Sequence, residues 1–451
     1  MIKLKLFLKL ILMIYLILSY QDYYSQSITW LGFISPGGAG SSAEGVSADG
    51  QFVVGSSSAP GNQYHAFLWS QRSGMTDLGT LGGHTSYGFD LSDNGNVVVG
   101  QSFVSLVSSV IRGFRWTASS GMQSLGTLGG GECSAFAVSA DGSSIVGSAQ
   151  TSNSSSPTHA CIWHETLGLI DLGAPTNNSW SEGYCISSNN SIVAGIATFS
   201  SVFEHAAIWN QGWVDLGTLG GNDSYASGIS EDGSVVVGSS RTSDGYIHAF
   251  RWTATTGLQD LGVLASGFSS QAFAVSADGN IIIGWAKNEF GQDRAVRWTI
   301  SNGIEDLNVT YAGILGDAKL ILAKDISPDG RYIVGTAYRN GKSEAYLLDT
   351  NPSVIVEQDN SVPDFFELYQ NYPNPFNSCT KISWQSPVSR WQTIKLFDLL
   401  GREIETITDG YYEAGYHSIS YTADSNLPSG VYYYKLSAGS FSDVKKMIII
   451  K

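Results

Sequence analysis

The chain has 451 residues, 43% hydrophobic and 14% charged, which is enough apolar material for about two or three domains and excludes disorder as its main state. Its 52 glycines and 22 tyrosines favour strands and tight turns over helices. With 24 basic and 39 acidic side chains, the net charge of −15 opposes binding to a phosphate backbone, so no nucleic-acid partner is expected.

Residues 1–26 have the order of a cleavable signal peptide. Lys3, Lys5 and Lys9 precede an apolar run, Leu10 to Leu18, and a polar segment follows. This run is shorter than the ~20 residues of a spanning helix, which disfavours an uncleaved anchor. We therefore expect a protein exported through the periplasm, without a transmembrane anchor in its mature form.

Seven copies of one pattern fill residues 27–350. Each begins with two apolar segments around a short turn, as in VSADGQFVVGSS (46–57) and ISEDGSVVVGSS (229–240). The turn pair is Asp-Gly in five copies, Asn94-Gly95 in one and Asn189-Asn190 in one. These residues predict type I′ hairpin turns.

Two further strands complete each copy. The third resembles HAFLW (65–69) and the fourth MTDLGTLGG (75–83). Four strands in about 46 residues match a propeller blade, and the hairpin turns disfavour a parallel β-helix. The seventh copy lacks a fourth strand, whereas ITWLGFI (28–34) precedes the first hairpin. We therefore predict an all-β fold, a seven-bladed β-propeller of four-stranded blades closed by its N-terminal strand.

The HAF…W, DLGTLGG and S-x-DG-x-x-VVG patterns resemble the HAF-repeat proteins, which are exported bacterial proteins. The resemblance covers residues 28–350, with departures at Asn189-Asn190 in copy four and at the missing Trp of copy seven. It implies a repeat architecture and export, but no particular chemistry.

Side chains that recur at one repeat position are expected to be structural. The third-strand histidines lie on four different blades and cannot converge on one metal ion; they are His65, His159, His205 and His248. The DLG aspartates are predicted to accept hydrogen bonds at strand ends; they are Asp77, Asp171, Asp215, Asp260 and Asp306. The third-strand tryptophans are predicted to pack between blades. No phosphate loop, catalytic serine motif or zinc motif occurs, so we expect no cofactor, metal or catalytic residue.

The cysteines show no metal-like spacing. Cys161 stands where other copies have Phe and is predicted to be a small buried hydrophobic residue. The sequence leaves open whether a disulfide forms among Cys133, Cys161 and Cys185.

Function is expected where the copies differ, in the loops that follow the fourth and second strands, which share one face of a propeller. These loops combine aromatic and polar side chains, which suits sugars or peptides, although a polar rim would look similar. The candidate residues are His84, Tyr87, Glu132, Trp180, Asp223, Tyr225, Phe268, Tyr311 and Asp317.

Residues 351–362 read as a linker, and 363–451 alternate apolar and polar positions between Gly, Pro and Asn turns, which predicts a small Ig-like β-sandwich. This segment resembles the type A C-terminal sorting domain of the type IX secretion system, and an ordinary Ig-like module is the alternative. The matching positions are Pro373, Asn374, Pro375, Phe376, Gly401, Gly430, Lys445 and Lys446.

These features favour a secreted or surface-attached, non-enzymatic binding or adhesion scaffold. Its expected partners are the type IX secretion machinery and a glycan or protein ligand. The alternatives are a glycan- or peptide-active enzyme with a site in the propeller funnel, and a purely structural surface protein.

Overall fold

Each of the first six sequence repeats forms one four-stranded antiparallel sheet, and the seventh repeat forms such a sheet together with the N-terminal strand. The first strands of successive sheets contact each other in a closed cycle, from the first sheet to the seventh and back to the first. The seven-bladed propeller predicted from the sequence is therefore confirmed. The computed structural model describes residues 24–61, 63–107, 109–152, 158–176, 179–199, 203–354, 365–371, 374–376, 379–423, 427–439 and 441–450. The expected signal peptide lies largely outside these residues.

Within a blade the chain runs outward from the axis, and its strands are named first to fourth in that order. The N-terminal strand is β1 (Tyr24–Gly32). Blades one and two are β2 (Ser41–Val46), β3 (Phe52–Ala59), β4 (Gln63–Ser70), β5 (Gly74–Asp77) and β6 (Ser86–Leu91), β7 (Val98–Phe103), β8 (Ile111–Thr117), β9 (Gly121–Ser124). Blades three and four are β10 (Gly129–Val138), β11 (Ser144–Thr151), β12 (Thr158–His164), β13 (Gly168–Asp171) and β14 (Ser181–Ile186), β15 (Val193–Ala197), β16 (His205–Trp209), β17 (Trp213–Gly217). Blades five and six are β18 (Gly220–Ile229), β19 (Val235–Thr242), β20 (Ile247–Thr253), β21 (Gly257–Asp260) and β22 (Ser270–Val275), β23 (Ile281–Lys287), β24 (Asp293–Thr299), β25 (Gly303–Asp306). Blade seven contains β26 (Lys319–Ile326), β27 (Tyr332–Arg339) and β28 (Lys342–Val354).

The N-terminal strand closes the propeller as predicted. Strand β1 pairs antiparallel with β28 as the fourth strand of blade seven, with Ile28 opposite Leu348 and Trp30 opposite Tyr346. Ile28 and Trp30 pack against the core of blade seven, while the buried Leu31 joins a cluster shared with blade one. Blade seven is therefore assembled from both ends of the repeat array.

The hairpin turns are not of the predicted type I′. In blade one the amide of Gly50 donates to the carbonyl of Ser47 at 3.0 Å, so Ala48 and Asp49 are the central residues, and of the turn residues only Gly50 has a positive φ, 69°. A type I′ turn needs positive φ at both central residues. Here side chains fix another geometry, because Ser47 Oγ donates to Asp49 Oδ1 at 2.8 Å and accepts from the amide of Phe52 at 2.9 Å.

A β-bulge interrupts every first strand, three residues before that serine. In blade five the register moves from Ala226 opposite Gly238 to Gly228 opposite Val237, which leaves Ser227 as the extra residue. The backbones approach so closely that a Cβ built on Gly238 would lie 1.9 Å from the carbonyl oxygen of Tyr225. This contact explains why the second apolar segment of each repeat ends in glycine.

The third-strand tryptophans pack between blades, which confirms the prediction. Trp298 of blade six is 2% exposed and clusters with Val235 and Val237 of blade five. The other members join clusters that include residues of the preceding blade; they are Trp69, Trp116, Trp163, Trp209 and Trp252.

A buried serine at the start of the first strand adds a second link between blades. Ser86 Oγ donates to the carbonyl of Gly79 at 2.6 Å and accepts from the amide of Ala66 at 2.9 Å, both in the preceding repeat. Cys133 makes the equivalent contacts to Gly126 and Gly113. Cys133, Cys161 and Cys185 are free thiols, and Cys161 is buried as predicted.

Two short helices replace the loop between blades six and seven, α1 (Leu307–Thr310) and α2 (Ala312–Leu315). Asp306 caps α1 by accepting from the amide of Asn308 at 2.8 Å. Leu307 and Leu315 enter the core of this part of the propeller, together with Tyr311.

The second compact unit begins after Val354 and contains two sheets. One holds β29 (Glu367–Leu368), β30 (Cys379–Ser386) and β33 (Gly415–Thr422); the other holds β31 (Arg390–Phe397), β32 (Glu403–Tyr412), β34 (Gly430–Ala438) and β35 (Phe441–Ile449). Side chains of both sheets, such as Trp384 and Tyr434, share one core. The predicted β-sandwich is confirmed, whereas its Ig-like character stays a prediction.

Candidate functional site

The seven bulges each place one side chain on the axis of the propeller. These residues line a central cavity of about 240 Å³ and include acidic, basic, aromatic and hydroxyl side chains. We call them the axial ring: Glu44, Phe89, Phe136, Tyr184, Ser227, Phe273 and Lys324. Phe136 lies 5.9 Å from Phe89 and 5.1 Å from Tyr184 between ring centroids, so one side of the axial ring is aromatic. A bulge is a common device for redirecting a side chain toward a site.

Above the axial ring the propeller opens into a funnel. We use this name for a cavity of about 560 Å³ lined by side chains of blades one, four, five, six and seven. Its aromatic walls are Tyr184, Tyr225 and Phe273, and Gln271, Ser239 and Ser240 add polar groups. The funnel lies on the face that carries the variable loops, because Asp223 and Tyr225 lie in the part of β18 nearest the variable loop before that strand.

Two ion pairs stand in the funnel wall. Lys324 Nζ lies 3.5 Å from Glu44 and 4.3 Å from the ring centroid of Phe273. Arg241 Nε lies 3.3 Å from Asp223, and Arg241 also donates to the carbonyl of Gly245 at 2.9 Å. Because each charge has a partner, the wall offers donors and acceptors side by side without a charge excess.

Carboxyl and phenol groups meet between blades four and five. Tyr184 donates its hydroxyl hydrogen to Glu182 Oε2 at 2.6 Å. Burial raises the pKa of Glu182, the bond from Tyr184 lowers it, and the nearby Glu204 raises it further. Burial also raises the pKa of Tyr225, and its hydrogen bond to Glu204 adds to that effect. This group brings two carboxyls close together.

Below the axial ring, two aspartates link neighbouring blades. Asp90 Oδ2 accepts from the amide of Val138 at 2.8 Å, and Asp325 Oδ2 accepts from the amide of Val46 at 2.9 Å. Burial raises the pKa of Asp325 to about 7, against the bonds from two backbone amides. Burial, followed by the charge of Asp325, raises the pKa of Asp90. Both aspartates are half-buried and line the central cavity.

The candidate loop residues do not form one site. Asp223 and Tyr225 line the funnel, and Glu132 lines a separate cavity of about 160 Å³. Phe268 is 41% exposed on the rim, and His84 packs on Phe103. Tyr87 and Trp180 are half-buried, and Asp317 is exposed.

Tyr311 is not a surface residue, contrary to the sequence-based expectation. It is 2% exposed because the helices α1 and α2 fold it into the core, where Arg297 donates to its hydroxyl at 3.4 Å.

Sequence reasoning missed the funnel residues on strands, namely Glu44, Tyr184, Phe273, Lys324 and Arg241. The signal was present, since glycine inside an apolar strand indicates a bulge or a close backbone approach. In each repeat the axial-ring residue is the unpaired residue of the bulge, which directly follows the residue opposite that glycine.

In blades one, three, four and five, the recurrent histidine pairs with the DLG aspartate of the same blade. His65 Nδ1 lies 2.9 Å from Asp77, and equivalent pairs join His159 to Asp171, His205 to Asp215 and His248 to Asp260. In the same way Asp77 accepts from the amide of Gly79 at 2.8 Å. The predicted acceptor role of these aspartates is therefore confirmed. Across the described ranges, no group of three or more His, Cys, Asp or Glu side chains is arranged to hold a metal ion.

In the C-terminal unit, the Asn-Pro-Phe segment fastens to the last strand. Asn374 Oδ1 accepts from the amide of Ile448 at 2.8 Å, and Asn374 Nδ2 donates to the carbonyl of Lys446 at 3.0 Å. Phe376 is 3% exposed and exchanges backbone hydrogen bonds with Ile448 and Ile450.

The other motif positions are spread over this unit. Gly401 has a φ of 75° in the turn before β32, Gly430 begins β34, and Lys445 lies 3.3 Å from Asp443. Pro373 lies outside the described residues.

Residues 370–451 match the family model of the secretion system C-terminal sorting domain. This unit is a sorting domain of the type IX secretion system. The sorting domain implies export to the cell surface or the extracellular space. Among the helices of the described segments, none has the length and apolar character to cross a bilayer.

No curated protein matches the chain. The β-propeller domain of the Trilobed protease from Pyrococcus furiosus is similar over 70% of this chain and 98% of its own, with 10% identity and a TM-score of 0.51. An oligogalacturonate lyase in complex with manganese is similar over 72% of this chain and 94% of its own, with 14% identity and a TM-score of 0.48. Identities this low show the propeller fold alone, and membership in the HAF-repeat proteins stays a prediction.

Proposed function

We propose that the protein is an exported, non-enzymatic binding protein that holds its ligand in the funnel. The observation that supports this proposal is the funnel itself, a cavity of about 560 Å³ with three aromatic walls and paired charges. A concave site that combines aromatic rings with a few fixed polar groups is typical of ligand binding. The repeats supply a rigid frame, and the non-repeating residues are concentrated at the bulges that face the ligand.

The sorting domain gives this site its setting. The ligand is extracellular or on the cell surface, and the propeller presents the funnel to it after export through the type IX machinery. Similarity of the repeats to HAF-repeat proteins agrees with an exported scaffold. A purely structural role would not require aromatic rings and paired charges to line the funnel.

A binding screen tests the proposal. The full chain is applied to a glycan array and a peptide array, next to the variants Tyr225→Ala and Asp223→Asn. We expect ligands whose signal falls at least about tenfold in both variants, because Tyr225→Ala removes an aromatic wall of the funnel and Asp223→Asn removes the charge that pairs with Arg241. The control is Ser73→Ala, an exposed serine in the hairpin between the third and fourth strands of blade one. Equal binding by all four proteins, with unchanged melting, would contradict the proposed site.

A glycan-active enzyme is the second candidate, and one observation favours it. Glu182, with its raised pKa, lies near a second carboxyl, Glu204, and glycoside hydrolysis uses a protonated and an ionised carboxyl group. Incubating neutral oligosaccharides with the full chain and with Glu182→Gln separates the candidates. We expect no new reducing ends from either protein. Cleavage by the parent that Glu182→Gln abolishes would establish the enzyme instead.

A further inference from the structure

Exposed apolar side chains continue the funnel outward over blades five and six. Ile247 lines the funnel and is 37% exposed, and its neighbour Tyr246 is 47% exposed. The ring of Phe268 lies 6.0 Å from that of Tyr246 between centroids. A Cβ built on Gly291 would lie 4.0 Å from Phe268, and the adjacent Phe290 is 76% exposed. We call Ile247, Tyr246, Phe268 and Phe290 the rim track.

The loops that present this track are held by hydrogen bonds. Tyr246 follows a turn in which the amide of Thr242 donates to the carbonyl of Tyr246 at 2.8 Å, and Arg241 of the funnel wall binds the carbonyl of Gly245. Phe290 belongs to a turn in which Asn288 Oδ1 accepts from the amides of Phe290 and Gln292, both at 3.0 Å. The aromatic side chains are therefore exposed on ordered turns, which lowers the entropic cost of binding a ligand to them.

The charges along this path restrict the ligand. The exposed Asp244 and Glu289 flank the track and repel an anionic chain. Within the funnel, Lys324 is paired with Glu44 and Arg241 with Asp223, so the wall has no unpaired charge that would attract a basic or an acidic peptide. Paired donors and acceptors instead suit hydroxyl groups, because each hydroxyl both donates and accepts.

We propose that the funnel and the rim track together bind a neutral carbohydrate chain of several sugar units. This inference rests on the proposed binding function and adds the ligand class and a second subsite. One end of the chain occupies the funnel, where its hydroxyl groups bridge the paired charges. The following units stack on Tyr246, Phe268 and Phe290, as the apolar faces of sugar rings do on aromatic side chains.

Titration calorimetry on the full chain tests the inference. The probes are cellobiose and cellohexaose, maltose and maltohexaose, xylobiose and xylohexaose, and one basic and one acidic hexapeptide. We expect at least one hexasaccharide to bind more tightly than its disaccharide. The double variant Phe268→Ala/Phe290→Ala should weaken that hexasaccharide about tenfold and leave the disaccharide unchanged, because only the longer chain reaches the track. Leu106→Ala, at a 71% exposed side chain between β7 and β8, is the control and should change neither.

The other outcomes are equally informative. Binding of a peptide but of no neutral oligosaccharide, or equal losses for the two chain lengths in the rim variant, overturns the carbohydrate track. A peptide that binds and is lost in Tyr225→Ala would leave the funnel proposal standing. A ligand of any class that is insensitive to both Tyr225→Ala and Asp223→Asn overturns the funnel proposal as well.

Discussion

Single buried side chains join the blades of this propeller, and Ser86 is one whose role can be measured. Its hydroxyl satisfies an amide and a carbonyl of the preceding repeat, and the side chain is 0% exposed. Ser86→Ala should lower the free energy of unfolding by about 1–3 kcal/mol, because it leaves a buried amide without a partner. Ser86→Cys should cost less, since Cys133 makes the same two contacts in blade three. Urea unfolding of the three proteins measures both, and equal losses would contradict the hydrogen-bond argument.

Asp325 makes stability depend on pH. Its pKa is about 7 in the folded protein and near the ordinary aspartate value of 3.8 in the unfolded chain, so between these pH values the folded state holds a proton that the unfolded state releases. That stabilisation is fully present below the unfolded pKa and is lost as the pH rises through 7. Raising the pH from 5 to 8 should cost the parent up to about 2 kcal/mol more than Asp325→Asn. Urea unfolding at both pH values measures this difference, with the exposed Asp317→Asn as control. The argument would be refuted if Asp325→Asn lost as much free energy of unfolding between pH 5 and 8 as the parent.

The bulged first strand is the element that builds the site, and Gly238 shows what it requires. An added Cβ would lie 1.9 Å from the carbonyl oxygen of Tyr225, so the bulge in β18 or its pairing to β19 would have to move. Gly238→Ala should destabilise the protein by about 3 kcal/mol or more. Gly212→Ala is the matched control, since a Cβ there meets nothing within 4 Å. Thermal melting compares them, and similar midpoints for the two variants would argue against the tight bulge.

Element types and their order could be predicted from the repeats, but their detailed geometry could not. The turn pair Asp-Gly allows several hairpin types, and the observed one is selected by a local side-chain bond from Ser47 to Asp49 that the turn pair alone does not reveal. The departure in copy four has a comparable cause. Asn190 takes the left-handed position, with φ of 60°, that glycine holds in other blades. A Cβ built on that glycine in blade two or three would meet a side chain of the preceding blade, Phe52 or Val97, whereas the corresponding residue before blade four is the smaller Ser144.

Closure of the whole ring depends on β1. A chain that begins at Phe33 loses the strand that pairs with β28 and the buried Leu31, and it exposes the edge of blade seven. We expect it to be less stable by at least about 3 kcal/mol, far more than the loss of an exposed terminus. Adding a synthetic peptide of residues 24–32 should restore part of the melting temperature, whereas a scrambled peptide should not. An unchanged melting temperature after truncation would show that the ring does not need this strand.

The candidate site could be predicted only as a face of the molecule. Loop variability pointed to the face on which the funnel opens and included Asp223 and Tyr225, because both lie near the strand start that follows a variable loop. Glu44 and Lys324 could not be paired from sequence, since their contact needs the ring to bring blade one next to blade seven. Tyr311 was misplaced because its loop folds into two helical turns with their own apolar residues.

Export is a property of the whole chain. It can be tested because the chain divides into two compact units after Val354. The C-terminal unit has a core made of its own residues, from Leu368 to Ile449, so its removal should leave the propeller folded. In a host with type IX secretion, a chain lacking residues 363–451 should accumulate in the periplasm with the melting temperature of the isolated propeller. Residues 363–451 fused to an inert exported protein should carry that cargo to the surface or the medium. Asn374→Ala in the fusion should reduce its export, because it removes both side-chain bonds to the last strand. Cell fractionation follows each protein, and normal export of the truncated chain would show that its sorting information lies elsewhere.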